Sequence, residues 1–301
     1  MKIGIFGGAA VEQGLAAVRR AAATAETEGF AAFWLPQIFG LDALGALTLV
    51  GAETPRIELG TAVVPTYPRH PITLAAQALT VQAASGDRLT LGIGLSHQFV
   101  IEEMFGYSFE KPARHMAEYL KALVPLLNGL PADIDGETVK AHASVGVPDT
   151  KAPSLLVAAL GPIMLRIAGE QTDGTITWMT GPKTVESFTV PAISAAAKSA
   201  GRPAPRIAVG LPICVTDDTA AARSRAAEIF SVYGFLPSYR AMLDREGAEG
   251  PADVAIVGNE AEVSAQIGRL SDAGVTDFAA AEFGGTADEV RRTRDTLRSL
   301  L

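Results

Sequence analysis

Ile57-Glu-Leu-Gly-Thr-Ala-Val-Val-Pro-Thr-Tyr-Pro-Arg-His-Pro71 and Arg88-Leu-Thr-Leu-Gly-Ile-Gly-Leu-Ser-His97 decide how this chain is read. Each begins as a short apolar strand and breaks into glycine, proline and polar residues where the strand should end. Between them Ile72–Ser85 is apolar-rich at helical spacing, and Pro71 stands near its start, where a missing N–H costs nothing. The unit is strand–loop–helix–strand, with its unusual chemistry at the carboxyl ends of both strands. In parallel α/β proteins that is where ligands bind.

Working outward, the same unit recurs. Strands are expected at Lys2–Phe6, Ala31–Leu35, Ile57–Val63, Arg88–Leu95, Ser154–Ala159, Gly174–Met179, Arg206–Val215 and Asp277–Ala281, with helical patterns between them. The first helix should run Val11–Glu28 and stop at Gly29; a later one should start after Asp42, a good N-cap. Eight such units with right-handed crossovers close into a (β/α)8 TIM barrel. We expect a single domain over residues 1–301, interrupted after the fourth strand by an insertion at about 96–152. In it, Met116, Leu120, Leu123, Val124 and Leu127 mark one helix face, and Leu130–Thr150 reads as a hairpin-like excursion.

A hydrophobic content of 48% over 301 residues suffices for one large core. The net charge of −8 argues against a nucleic-acid or membrane-surface partner and leaves a small-molecule substrate. The one cysteine, Cys214, rules out an internal disulfide or a multi-thiolate zinc site and reads as an inert core thiol. Met1-Lys-Ile-Gly-Ile-Phe6 enters a strand at once, with no signal segment or membrane-length span, so a cytoplasmic protein is expected; a homodimer is compatible with all of this.

Gly161-Pro162 follows the fifth strand and Gly181-Pro182 the sixth. Alone, such a pair is ordinary helix-start punctuation, but the freed N–H groups can also hold an anion, and Gly161-Pro162 is the better candidate. Gly92-Ile-Gly94 lacks the third glycine of a dinucleotide fingerprint. His97 should emerge at the barrel mouth, able to move a proton near neutral pH or simply to order the insertion. His70 reads as structural, His115 as a helix-surface residue, and His142 lies in the excursion. With no nucleophile–base pair and no metal-ligand spacing, a glycine-rich barrel mouth points to a bound organic cofactor.

These residues resemble the bacterial luciferase-like superfamily, in particular its branch of deazaflavin (coenzyme F420)-dependent oxidoreductases common in actinobacteria. Gly29-Phe-Ala-Ala-Phe-Trp-Leu35 looks like the family's second strand. Leu59–Val63 through Arg69-His-Pro71 looks like its third strand and bulge, Gly86–Gly94 its fourth strand, and Ala158–Gly174 its fifth strand, phosphate-side turn and helix. The resemblance implies a non-proline cis peptide at Ala62–Val63, a bulge backing the cofactor ring, and a cofactor phosphate near Gly161-Pro162. It implies hydride transfer between coenzyme F420 and a small organic substrate. Phe6, Ile38, Ala62 and Val63 would face the ring, Gly92, Gly94 and Ser96 would let the chain pass close to it, and Gln37 and His97 would supply polar groups.

The departures shape what is expected. Many relatives carry an acidic residue and a histidine where this chain has Gln37 and Ile38, so that histidine's chemistry is absent. His97 stands where sugar-phosphate dehydrogenases of the family carry a glutamate. Pro65 removes a polar cofactor contact that some relatives have. The alternatives are an FMN-dependent monooxygenase served by a separate reductase, or a non-catalytic flavin- or deazaflavin-binding protein. An aromatic content of 6% gives no sign of a stacking-rich pocket.

Overall fold

Strand order closes on itself. The structure, a computed structural model, describes residues 1–301. Its strands are β1 (Lys2–Phe6), β2 (Ala32–Leu35), β3 (Glu58–Thr61), β4 (Val64–Pro65), β5 (Leu89–Gly94), β6 (Ala132–Asp135), β7 (Lys140–Ala143), β8 (Ser154–Val157), β9 (Gly174–Trp178), β10 (Arg206–Val215), β11 (Ile256–Gly258) and β12 (Asp277–Glu282). Parallel pairing runs β1-β2-β3-β5-β8-β9-β10-β12 and back to β1, the eight-stranded barrel that the sequence implies. β6 and β7 form an antiparallel hairpin inside the segment between β5 and β8, matching the expected excursion.

The barrel is filled in layers, as alternation along each strand requires. At its amino end, Arg206 gathers the polar layer. Its Nη2 donates to Glu58 Oε1 and to Asp277 Oδ1, each at 2.7 Å, and its Nη1 donates to Thr90 Oγ1 at 3.0 Å. Burial pushes the Glu58 carboxyl up, but Arg206 and the Thr90 hydroxyl outweigh it and hold the carboxyl below its usual range. Above lie Ala32, Leu156, Ile176, Ala208 and Ala279. Trp34 and Trp178 occupy the carboxyl-end layer, and glycine makes room for both. A Cβ on Gly60 would lie 2.1 Å from the Trp34 ring, and one on Gly210 would lie 2.8 Å from that of Trp178.

Three local readings change. The first helix breaks at Gly14, whose φ of 93° favours glycine, into Gly8–Glu12 and Leu15–Thr27. The third strand does not continue to Val63: it stops at Thr61, the Ala62–Val63 peptide is cis as the resemblance implied, and pairing resumes at β4 against β5. Thr61 Oγ1 bridges the gap, accepting from Gly92 N and donating to Gly92 O, both at 2.8 Å. The three-residue β11, beside the end of β10, carries too little pattern to stand out in the sequence.

Candidate active site

The carboxyl ends of the barrel strands gather most of the candidate residues around one mouth. Ser96, with φ 62°, turns the chain out of β5, and His97 follows half-buried, its ring 5.8 Å from that of Tyr239. Burial pushes the His97 imidazole below its usual range, so the ring is neutral at pH 7. Neutral, it accepts a proton readily and delivers one only after protonation.

Gln37 is partly committed elsewhere. Its Oε1 accepts from Ala43 N at 2.6 Å, beside Asp42 Oδ1, which accepts from Gly45 N at 2.6 Å. Both side chains satisfy free N–H groups at the start of helix Ala43–Glu53, as orphan donors there demand. Asp42 also pairs with Arg69, tying this loop to the one after β4. Ile38 and Phe39 project from it, each 60% exposed.

Ala62 and Val63 are half-buried and pack with Phe6 on the cluster inside the barrel. The glycines of β5 make this bulge possible. A Cβ on Gly92 would sit 2.0 Å from Thr61 O, and one on Gly94 would meet Val63 Cγ2 at 2.7 Å. Their space is therefore taken by the bulge itself. Pro65 is half-buried and pairs with Gly94. Behind it, His115 is buried, not on a helix surface: its Nε2 lies 3.1 Å from Thr66 Oγ1, and its ring stacks on Tyr67 at 3.9 Å. The helix Pro112–Leu127 buries a wider face than the apolar residues alone mark. Burial lowers the His115 imidazole to about 4, which keeps it neutral.

The two Gly-Pro helix starts differ. Gly161 begins helix Pro162–Gln171 with no side-chain cap, and a Cβ there would meet nothing within 4 Å. At Gly181 the Glu246 carboxylate already occupies the position, accepting from Lys183 N at 3.2 Å and Thr184 N at 2.7 Å. An incoming anion finds the first start open and the second filled.

The composition gave no hint of the aromatic wall. Phe6 stacks on Trp178 at 5.1 Å, Tyr233 meets Trp178 edge-on at 5.9 Å, and Tyr239 meets Tyr233 at 5.0 Å before reaching His97. The tyrosines come from the segment after β10, which Glu246 ties to the helix start at Gly181 and which leaves no periodic mark in sequence. His70 is structural as read: its Nδ1 accepts from Ile72 N, and its Nε2 donates to Lys140 O at 2.8 Å. His142 pairs with Asp133 in the hairpin. Cys214 is buried, and burial raises its thiol. No group of three or more His, Cys, Asp or Glu side chains could hold a metal ion, and no helix is long and apolar enough to cross a membrane.

Comparison with known proteins bears on what such a mouth does. The family model described as luciferase-like monooxygenase matches residues 1–301. A 5,10-methylenetetrahydromethanopterin reductase of Methanolobus tindarius is 31% identical over 271 residues, covering 89% of this chain and 82% of its own. Among solved structures, the coenzyme F420-dependent tetrahydromethanopterin reductase of Methanopyrus kandleri superposes with a TM-score of 0.80 at 23% identity, covering 99% of this chain and 97% of that one. An F420-dependent secondary alcohol dehydrogenase, solved with an F420–acetone adduct, gives 0.80 at 18% identity, covering 100% and 98%. At these identities the two structures speak for the fold.

Proposed function

The chain belongs to the luciferase-like monooxygenase family, and from that membership we propose that it is a coenzyme F420-dependent oxidoreductase acting on a small organic molecule. The observation that carries the cofactor reading is the open, uncapped helix start at Gly161 on the same barrel face as the half-buried Ala62–Val63 bulge. A flat ring with an anionic tail needs that combination: an apolar backing for the ring and free N–H groups for the phosphate.

Bound there, the deazaflavin supplies a hydride donor or acceptor. The chain's own residues do the rest. Phe6, Ile38, Ala62, Val63 and Pro65 offer the ring an apolar setting. Gly92 and Gly94 give the bulge its room, and Ser96 aims His97. The helix start at Gly161-Pro162 holds the phosphate. Gln37, its carbonyl engaged with Ala43, keeps its amide N–H groups for the ligand. His97, neutral at pH 7, takes the proton of a carbinol as hydride leaves it, or returns one in the reverse direction. Residues 1–301 act as one domain of a cytoplasmic enzyme, the 96–152 insertion contributing to the mouth.

A binding titration tests this. Purified protein should bind F420 and not FMN, and should exchange hydride between F420 and a substrate. Tight FMN binding without deazaflavin binding would replace the proposal by an FMN-dependent monooxygenase. Cofactor binding without turnover of any substrate would leave a carrier.

A further inference from the structure

We propose that the Thr61 hydroxyl is the positioning group of the cofactor seat: by bonding both backbone polar atoms of Gly92, it fixes how far the Ala62–Val63 bulge projects into the mouth, and so the height of the ring resting there. This rests on the oxidoreductase reading above. β3 and β5 keep parallel register up to Gly60 against Thr90, and β4 resumes it at Val64 against Ile93. Thr61, Ala62 and Val63 therefore stand against Leu91 and Gly92 alone, one residue in excess. An excess residue bends its strand and breaks the ladder locally.

Gly92 is buried, so its N–H needs an acceptor from the protein. Thr61 Oγ1 supplies one at 2.8 Å and gives its own proton to Gly92 O, also at 2.8 Å. Two opposed bonds to one residue leave the hydroxyl a single rotamer and hold the Thr61 backbone at one distance from β5. Thr61 has no exposed surface, so no solvent competes. The next residue is tied the other way, Ala62 N donating to Leu35 O at the end of β2 at 2.7 Å. Ala62 and Val63 make no other backbone–backbone hydrogen bond. The Val63 methyls lie over the strand glycines, where a Cβ on Gly94 would meet Cγ2 at 2.7 Å and one on Gly92 would meet Cγ1 at 3.2 Å. The bulge thus hangs between two anchors, and only the Thr61 anchor is a side chain.

A ring lying on the half-buried Ala62 and Val63 takes its height from these anchors. Hydride passes only between atoms held near contact, and a displacement of about 1 Å can cost roughly 10²-fold in rate. Valine at position 61 keeps the shape of threonine without its donor and acceptor. Gly92 N then loses its acceptor, and the bulge must move for another to reach it.

The series Thr61→Ser, Thr61→Cys and Thr61→Val takes the hydroxyl from kept, through a weakly bonding thiol, to removed. Thr175→Val is the control: Thr175 is equally buried on β9 and donates to Val157 O at 2.8 Å, away from the bulge. Each protein is melted, then titrated with oxidised F420 and, in parallel, with FMN, followed by cofactor fluorescence and absorption. The cofactor Kd should stay within about twofold of wild type in Thr61→Ser and rise about tenfold in Thr61→Val, with Thr61→Cys between them. The absorption band of the bound cofactor should move in the same order. Thr175→Val should melt earlier while Kd and band stay in place. If only the melting temperature falls along the Thr61 series, with Kd and band unchanged, Thr61 is merely structural and the proposal is overturned. A loss of affinity in Thr175→Val that matches Thr61→Val overturns it as well. Should Thr61→Val not fold, the Ser and Cys variants decide by the same criteria. Wild type that takes FMN and not F420 counts against the deazaflavin reading, and the series is then read with FMN; binding of neither ring overturns both.

Discussion

Replacing Arg206 by methionine tests how the closed end of the barrel is held. The arginine faces Glu58 and Asp277 at 2.7 Å each, and these side chains are only 24%, 19% and 5% exposed. Removing the cation leaves two carboxylates facing each other where water reaches poorly. Breaking a buried pair from one side costs roughly 3–5 kcal/mol, and the residual exposure of Arg206 and Glu58 places the expected loss near the lower figure, about 3 kcal/mol. The sign of the pH dependence follows from Glu58, whose carboxyl is held below its usual range in the native protein. Its contribution is fully present above the unfolded value and is lost as pH falls through the folded one. In Arg206→Met the largest part of that contribution is gone; Lys2 at 3.2 Å and the Thr90 hydroxyl remain on Glu58, but the carboxyl is left more ready to take a proton, so the deficit should be largest at pH 7 and shrink towards pH 4. Urea unfolding of both proteins at pH 7, 5.5 and 4, followed by circular dichroism, measures it. A deficit below about 1 kcal/mol at pH 7, or one that does not change with pH, refutes the argument that charge pairing holds this end.

The mouth gives further tests. His97→Ala should lower turnover about 10²-fold with little change in cofactor affinity, and the wild-type pH profile should inflect below the ordinary histidine value because burial lowers this imidazole. Gly161→Asp should place a carboxylate on the open helix start: thermal stability should rise by a few tenths of a kcal/mol while F420 affinity falls, measured by melting and by cofactor fluorescence. Ala62→Leu should weaken cofactor binding while leaving the melting temperature nearly unchanged, since Ala62 is half-buried at the mouth. Gly92→Ala should destabilise the fold by about 1–3 kcal/mol in urea titration, because its Cβ would meet backbone at Thr61 O.

What could be read in the sequence follows a physical division. The barrel is legible locally, in eight apolar strands that alternate with helical patterns and break into glycine at their ends, whereas the bulge at Ala62–Val63 was implied by the family resemblance and not by the residues alone. The open helix start was half legible: Gly161-Pro162 and Gly181-Pro182 look alike until Glu246, distant in sequence, fills one of them. His115 was misread because the side of its helix that covers Thr66 and Tyr67 is polar in sequence and buried only by tertiary contact. Tyr233 and Tyr239 were invisible as site residues because only the docking of their segment brings them to His97 and Trp178. Composition counts aromatic rings; it says nothing of where they collect.

The carboxylate of Glu246 at the Lys183 and Thr184 amides has a consequence for how any elongated anion lies in the barrel. A (β/α)8 scaffold is nearly rotationally repetitive, and neighbouring helix starts offer a charged tail equivalent berths. Filling one with a resident carboxylate lifts that degeneracy. Between these two neighbouring starts, a molecule with a single anionic end then has one choice, and that choice sets which way its uncharged face is presented to the aromatic side. Stereochemical fidelity can thus originate in a side chain that touches neither reacting partner, through the address it withholds.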